Sequence, residues 1–139
     1  RSCGVGWVII DHISIMISGM EGGDERRLID NLMTKLRSLA EELNIGMLIV
    51  SHLRKPSDGR GHEDGRKITL NDVRGSGSIS QLSDFVIGLE RNQQEDGETT
   101  VRILKARYKG SSTGIATKLY YDKDTGRLRE CGSALEEGF

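Results

Sequence analysis

From Asp24 to Asn44, Leu28, Leu32, Leu36, Leu39 and Leu43 recur at spacings of three and four, with Ile29, Met33 and Ala40 widening the stripe. That period places the apolar residues on one side of an α-helix, which must be buried against another element. Asp24 and Glu25 suit the positive end of such a helix, and Asn44 with Gly46 supplies its stop. β-rich apolar runs flank it on both sides, residues 5–10 ending in Asp11 and residues 47–50 leading into Ser51-His52-Leu53. Strand, helix, strand is the seed of an α/β fold.

The rest of the chain extends this seed. The first apolar run reads as a buried strand leading into a loop, with a flexible Gly-rich stretch at residues 18–23. Residues 54–67, rich in Gly and charge and holding the sole proline, Pro56, read as a long mobile loop. Short helical pieces are expected at residues 70–73 and 78–84, around Arg74-Gly75-Ser76-Gly77, followed by a third apolar strand at residues 85–89. Residues 99–108 and 115–121 alternate with period two, and Asp122-Lys123-Asp124-Thr125-Gly126 has hairpin-turn chemistry. The expected architecture is a single partial α/β domain over residues 1–139, a mainly parallel central sheet extended by antiparallel edge strands. A polar tail at residues 131–139 is expected to fray.

Composition narrows the functional classes. Lys and Arg total 20 against 21 Asp and Glu, so contact with a polyanion has to come from local basic loops rather than from net charge. No apolar run approaches the roughly 20 residues that span a bilayer, and no signal core follows Arg1. Cys3 and Cys131 form neither a C-x-x-C pair nor a disulfide framework, which points to a reducing, cytoplasmic setting. No G-x-x-x-x-G-K-[ST] phosphate loop occurs, and His62-Glu63 lacks the second histidine of a zinc-protease motif, so no protein-built metal cage is expected.

In open α/β sheets ligands bind beyond the carboxyl ends of the strands, where Asp11 and His52 both fall. A carboxylate there can orient a hydrated magnesium ion beside a triphosphate, and an imidazole can hydrogen-bond a γ-phosphate or an attacking water. The same residues also suit plainer roles, an aspartate capping the next turn and a histidine tying down a strand end. Lys105 and Arg107 alternate in a strand and share a face, where paired cations can neutralise a transferring phosphoryl group or simply line a solvated sheet edge.

Taken together, Val8-Ile9-Ile10-Asp11-His12-Ile13-Ser14, the stretch Leu36-Arg37-Ser38-Leu39-Ala40-Glu41-Glu42-Leu43-Asn44, and Leu48-Ile49-Val50-Ser51-His52-Leu53 resemble the DnaB family of hexameric replicative DNA helicases. Ile29-Asp30-Asn31-Leu32-Met33-Thr34-Lys35-Leu36, Arg74-Gly75-Ser76-Gly77, Gln81-Leu82-Ser83-Asp84, Leu89-Glu90-Arg91-Asn92-Gln93-Gln94 and Val101-Arg102-Ile103-Leu104-Lys105 are most similar to the bifunctional primase-helicases of short-tailed phages. The resemblance runs from about Val8 to about Leu128.

It implies the C-terminal part of a RecA-like P-loop NTPase domain, with Asp11 as the Walker B acid toward Mg2+ and His52 as the γ-phosphate sensor. Arg107 would be the arginine finger reaching a neighbouring subunit's nucleotide, with Lys105 beside it. Arg91 and Tyr121 would sandwich the base of ATP or dTTP, and Gln81 would link the nucleotide to the DNA loops. Those loops would be residues 14–23, 53–61 and 74–77, presenting Arg54, Lys55, Arg60 and Arg74 to single-stranded DNA. Ser80 departs from the basic residue of the phage enzymes, and the segment between Gln94 and Val101 is shortened. The implied partners are single-stranded DNA, further copies in a homo-oligomeric ring, an attached primase domain and a replicative DNA polymerase. The family's Walker A lysine and catalytic glutamate would lie before Arg1, so the 139 residues alone are expected to have negligible NTPase activity. Two other readings stay open, a RecA-like recombinase or regulatory ATPase on an open filament, and a DNA-binding fragment without catalysis of its own.

Overall fold

The computed structural model describes residues 4–19, 24–56, 61–74, 77–94, 98–108 and 112–131. The chain divides into two compact units, one of Arg1–Arg54 with Asn71–Ser83 and the other of Lys55–Leu70 with Asp84–Phe139.

The first unit is the strand, helix, strand seed. Strands β1 (Trp7–Ile10) and β2 (Gly46–Ile49) pair in parallel, Trp7 opposite Gly46 and Ile10 opposite Ile49. Helix α1 (Ile13–Ser18) follows β1, α2 (Glu25–Leu43) connects the two strands, and α3 (Gly77–Leu82) completes the unit. Helix α2 starts and stops as its sequence predicts. The Asp24 side chain accepts the Arg26 N–H at 3.1 Å, and Asn44 ends the helix in the left-handed region, with φ 50° and ψ 55°. Its buried stripe is Ile29, Leu32, Met33 and Leu36, which packs with Ile13 and Ile17 of α1 and Ile79 of α3, while Leu39 turns outward.

Three expectations are revised here. Strand β1 does not lead straight into a loop, because Ile13 and Ile17, four apart, fold a helical turn and a half onto α2. The run is too short and too rich in β-branched residues for its helical period to stand out. The expected buried strand is buried on one face only. Ile10, Met47 and Ile49 pack against the helices, while Trp7 (72% exposed) and Ile9 (69%) face away with Leu48. Period two forces this alternation wherever helices cover a single side. Among the described residues, moreover, parallel pairing is confined to β1 and β2.

The second unit is an antiparallel sheet in the order β3 (Phe85–Arg91), β4 (Thr99–Ala106), β5 (Gly114–Asp122), β6 (Arg127–Glu130). Strand β3 therefore pairs with β4 and does not continue a parallel series; its apolar run could not announce its partner. Bulges leave Leu104 and Ala116 as extra residues in their ladders. The turn between β5 and β6 has the expected chemistry. Asp122 Oδ1 accepts the N–H groups of Asp124 and Thr125 at 3.0 and 3.2 Å, and Gly126 takes φ +67°.

Part of the expected mobile loop is built into this unit. Asp64 bridges Asn92, Gln93 N–H donates to the Glu63 carbonyl at 2.7 Å, and Ile68, just after the loop, is buried. Glu90, only 8% exposed, accepts the Ile68 N–H at 2.8 Å and grips Arg102 through two bonds of 2.7 and 3.0 Å. The Arg102 guanidinium, and after it the Ile68 N–H, hold the Glu90 carboxyl below the ordinary glutamate range against the opposing effect of burial. Among the described residues no helix is long and apolar enough to cross a membrane. The tail at residues 132–139 lies outside the described residues.

Candidate functional site

In the first unit the sheet register decides what meets what. Because Ile10 lies opposite Ile49, Asp11 and His52 leave the same carboxyl rim of the parallel pair. The ladder continues past the strands, with Val50 N–H donating to the Ile10 carbonyl at 2.9 Å and Ile13 N–H to the Val50 carbonyl at 3.0 Å. His12, beside Asp11, stacks on His52 with ring centroids 4.1 Å apart and planes at 28°. The Asp11 carboxylate is exposed and has no hydrogen-bond or ion-pair partner among the described residues.

From His52 onward the chain is laced to the segment before α3. Arg74 N–H donates to the His52 carbonyl at 2.8 Å, Arg54 N–H donates to the Asp72 carbonyl at 2.7 Å, and Leu53 bridges Val73. That lacing brings Arg54 and Arg74 to one cavity, of about 280 Å³, lined also by Asp24, Glu25 and Arg26 from the start of α2. Glu25 lies 3.5 Å from Arg74. The structure thus joins two of the expected DNA contacts and adds a third cation, Arg26, which spacing along the chain could not reveal. Gln81 lies elsewhere, in a cleft between α2 and α3 with Arg26, Asp30, Thr34 and Ser78. Arg60 and residues 75–76 lie outside the described residues, and Lys55, exposed, opens the second unit.

In the second unit the expected residues fall at two opposite ends of one sheet. Arg91 closes β3 opposite Thr99, which lies opposite Leu119, so Tyr121 shares both the face and the end of the sheet with Arg91. Both side chains are exposed, with β4 between their strands. At the other end, Lys105 is half-buried opposite Val86. Arg107 lies one residue beyond β4 rather than within it, yet the ladder still holds it, since its N–H donates to the Asp84 carbonyl at 2.8 Å. Its Nη1 is 3.3 Å from Asp84 Oδ1, and the side chain keeps 36% of its surface exposed. Lys105 and Arg107 therefore share a face, as alternation predicts, about 20 Å along the strands from the Arg91 end.

Among the described residues no three His, Cys, Asp or Glu side chains converge to hold a metal ion. A cation at the rim of the first unit would rest on Asp11, through water, and on whatever anionic ligand it accompanies.

The family model of the DnaB-like helicase C-terminal domain matches residues 1–130. The DNA helicase/primase of Enterobacteria phage T3 is 44% identical over 133 residues, 94% of this chain and 23% of that protein. The replicative DNA helicase DnaC of Bacillus subtilis (strain 168) is 28% identical over 122 residues, covering 84% of this chain and 26% of the relative. DnaB of Geobacillus stearothermophilus is 27% identical over 119 residues, 82% of this chain and 26% of the relative. The chain thus spans about a quarter of the length of these relatives. It belongs to the DnaB-like helicase C-terminal domain family, and its α/β fold is part of that family's RecA-like domain.

Proposed function

We propose that this chain is part of the motor domain of a ring-shaped replicative DNA helicase of the primase-helicase type, in which NTP hydrolysis between protomers drives translocation on single-stranded DNA and duplex unwinding. The support that weighs most is the shared rim, where Asp11 and His52 emerge together and the segment leaving His52 carries Arg54 to Arg74. A γ-phosphate sensor whose own carbonyl accepts the Arg74 N–H can pass the state of the nucleotide to a DNA contact at that cationic pocket.

In this reading Asp11 orients magnesium through water, and its exposed carboxylate, with no described protein partner, fits that task. The ion, when bound, neutralises charge on the phosphates of ATP or dTTP. His52 hydrogen-bonds the γ-phosphate or the attacking water. Arg91 and Tyr121 hold the base between a planar guanidinium and a phenol, and Gln81 relays between nucleotide and DNA. Arg54, Lys55, Arg60 and Arg74, with Arg26 added, face single-strand phosphates. Lys105 and Arg107, at the far end of the sheet from Arg91, serve a neighbouring protomer's nucleotide; opposite ends suit one chain that holds a base at its own site and lends cations elsewhere. A hexameric ring, an attached primase domain, a replicative polymerase as partner and a bacterial cytoplasmic setting complete the proposal.

Arg107→Ala in the full-length protein tests it. Nucleotide binding is expected to persist while DNA-stimulated hydrolysis falls by roughly a thousandfold or more. Mixed with wild-type subunits, the variant should poison the ring beyond simple dilution. Hydrolysis that tracks the wild-type fraction alone would remove the finger acting between subunits.

A further inference from the structure

We propose that Asp84 is the positioning residue of the Arg107 finger, holding the guanidinium in its reaching geometry before a neighbour's nucleotide arrives. The inference rests on the finger role proposed above and names what aims it.

The aim follows from strand register. Phe85 lies opposite Ala106, so the next pair outward in the antiparallel ladder is Asp84 and Arg107. Both backbone and side chain of Arg107 are engaged there, the N–H on the Asp84 carbonyl at 2.8 Å and Nη1 near Asp84 Oδ1 at 3.3 Å. Ala106, just before the finger, is buried, while Tyr108, just after it, is 70% exposed. The backbone of the finger is therefore fixed by the ladder, and its side chain keeps 36% of its surface exposed. An unrestrained arginine samples many rotamers and would meet a phosphoryl group in the right geometry only part of the time. A guanidinium has five N–H donors in a rigid fork, so one edge can rest on an acid while the other remains available to phosphate oxygens. A carboxylate held by a sheet end is a fixed reference for that fork. The plainer alternative is that the pair only closes the β3–β4 hairpin, and the two make different predictions.

The test uses the full-length protein and DNA-stimulated NTP hydrolysis. Asp84→Ala should lower kcat by roughly ten- to hundredfold, the scale of a misplaced catalytic group, with KM for nucleotide and Kd for a single-stranded oligonucleotide within about twofold of wild type. Asp84→Asn, which keeps the size and one acceptor but not the charge, should lower kcat at an unchanged Tm. Asp84→Glu should recover part of the rate. In single-turnover assays Asp84→Ala combined with Arg107→Ala should be no slower than Arg107→Ala alone, because an acid that acts only through the finger has nothing left to position. Wild-type kcat in both Asp84→Ala and Asp84→Asn, beside an inactive Arg107→Ala, would overturn the inference and leave the finger standing. So would a double variant slower than Arg107→Ala by the full factor of Asp84→Ala, which marks a defect of the hairpin as a whole. An active Arg107→Ala would instead bring down the finger assignment, and the role of Asp84 with it.

Discussion

The two units solve the problem of staying folded in different ways. The first buries seven apolar side chains, Ile13, Ile17, Ile29, Leu32, Met33, Leu36 and Ile79, in one cluster. The second has only Ile68 and Ala106 as buried apolar residues among those described, and also buries Glu90 in an ion pair with Arg102. Apolar burial is non-directional and tolerant, whereas a buried ion pair works only in good geometry with its remaining bonds satisfied. The helix-backed unit is therefore a support from which a rim and a loop can project. The sheet unit depends on ladder register to place charges, and its candidate residues are charges placed by register, Arg91 at one end and Arg107 at the other.

The largest effect that could break this contrast is in the apolar cluster. Leu32→Ala should cost about 2–5 kcal/mol, through lost burial and the cavity left behind, with little dependence on pH. Hydrogen exchange should quicken in α2, β1 and β2 and stay unchanged from β3 to β6; equal quickening in both units would mean that they do not hold themselves together separately.

A smaller and pH-dependent effect belongs to the sheet unit. The Glu90 carboxyl is held below the ordinary glutamate range by Arg102, so the folded state binds this proton less readily than the unfolded chain. Its stabilisation is complete above the ordinary glutamate pKa and is lost as the pH falls through that value toward the lower folded one. Glu90→Gln should lower Tm at neutral pH by roughly 5–10 °C and flatten the acid limb of the Tm profile in that window. An acid limb as steep as that of wild type would assign the sensitivity to other groups.

The smallest effect sharpens the same point. Arg37 and Glu41, one turn apart on α2, also meet at 2.7 Å, but Glu41 is 64% exposed. Glu41→Gln should change stability by at most about 0.5 kcal/mol and less in high salt. Two arginine–glutamate pairs of equal length should thus differ severalfold in their effect on Tm, and a similar shift for both would show that burial is not what separates them.

Much of this was legible in the residues. The leucine spacing, Asp24 and Asn44 set both ends of α2, and Asp122 to Gly126 announced their hairpin, because these are local signals carried by adjacent residues. Partner choice was not legible. An apolar run such as residues 85–89 is compatible with a parallel or an antiparallel neighbour, and β3 took the antiparallel one. Helix α1 has no such local signal, because two isoleucines four apart are too few to establish a period. The candidate site divides along the same line. Asp11 and His52 at strand ends could be read from the sequence, and their proposed roles come from the family resemblance. Arg26 beside Arg54 and Arg74, His12 on His52, and Asp84 opposite Arg107 depend on contacts between distant residues that no spacing rule encodes.

The chain's one tryptophan, Trp7, lies across Gly46 on the open face of the parallel pair, where any side chain at position 46 would run into the indole. The fold has in effect fitted this face with a single intrinsic fluorophore. Within these 139 residues its emission reports local polarity without a second indole, and a blue shift marks whatever excludes water from the rows of Trp7, Ile9 and Leu48.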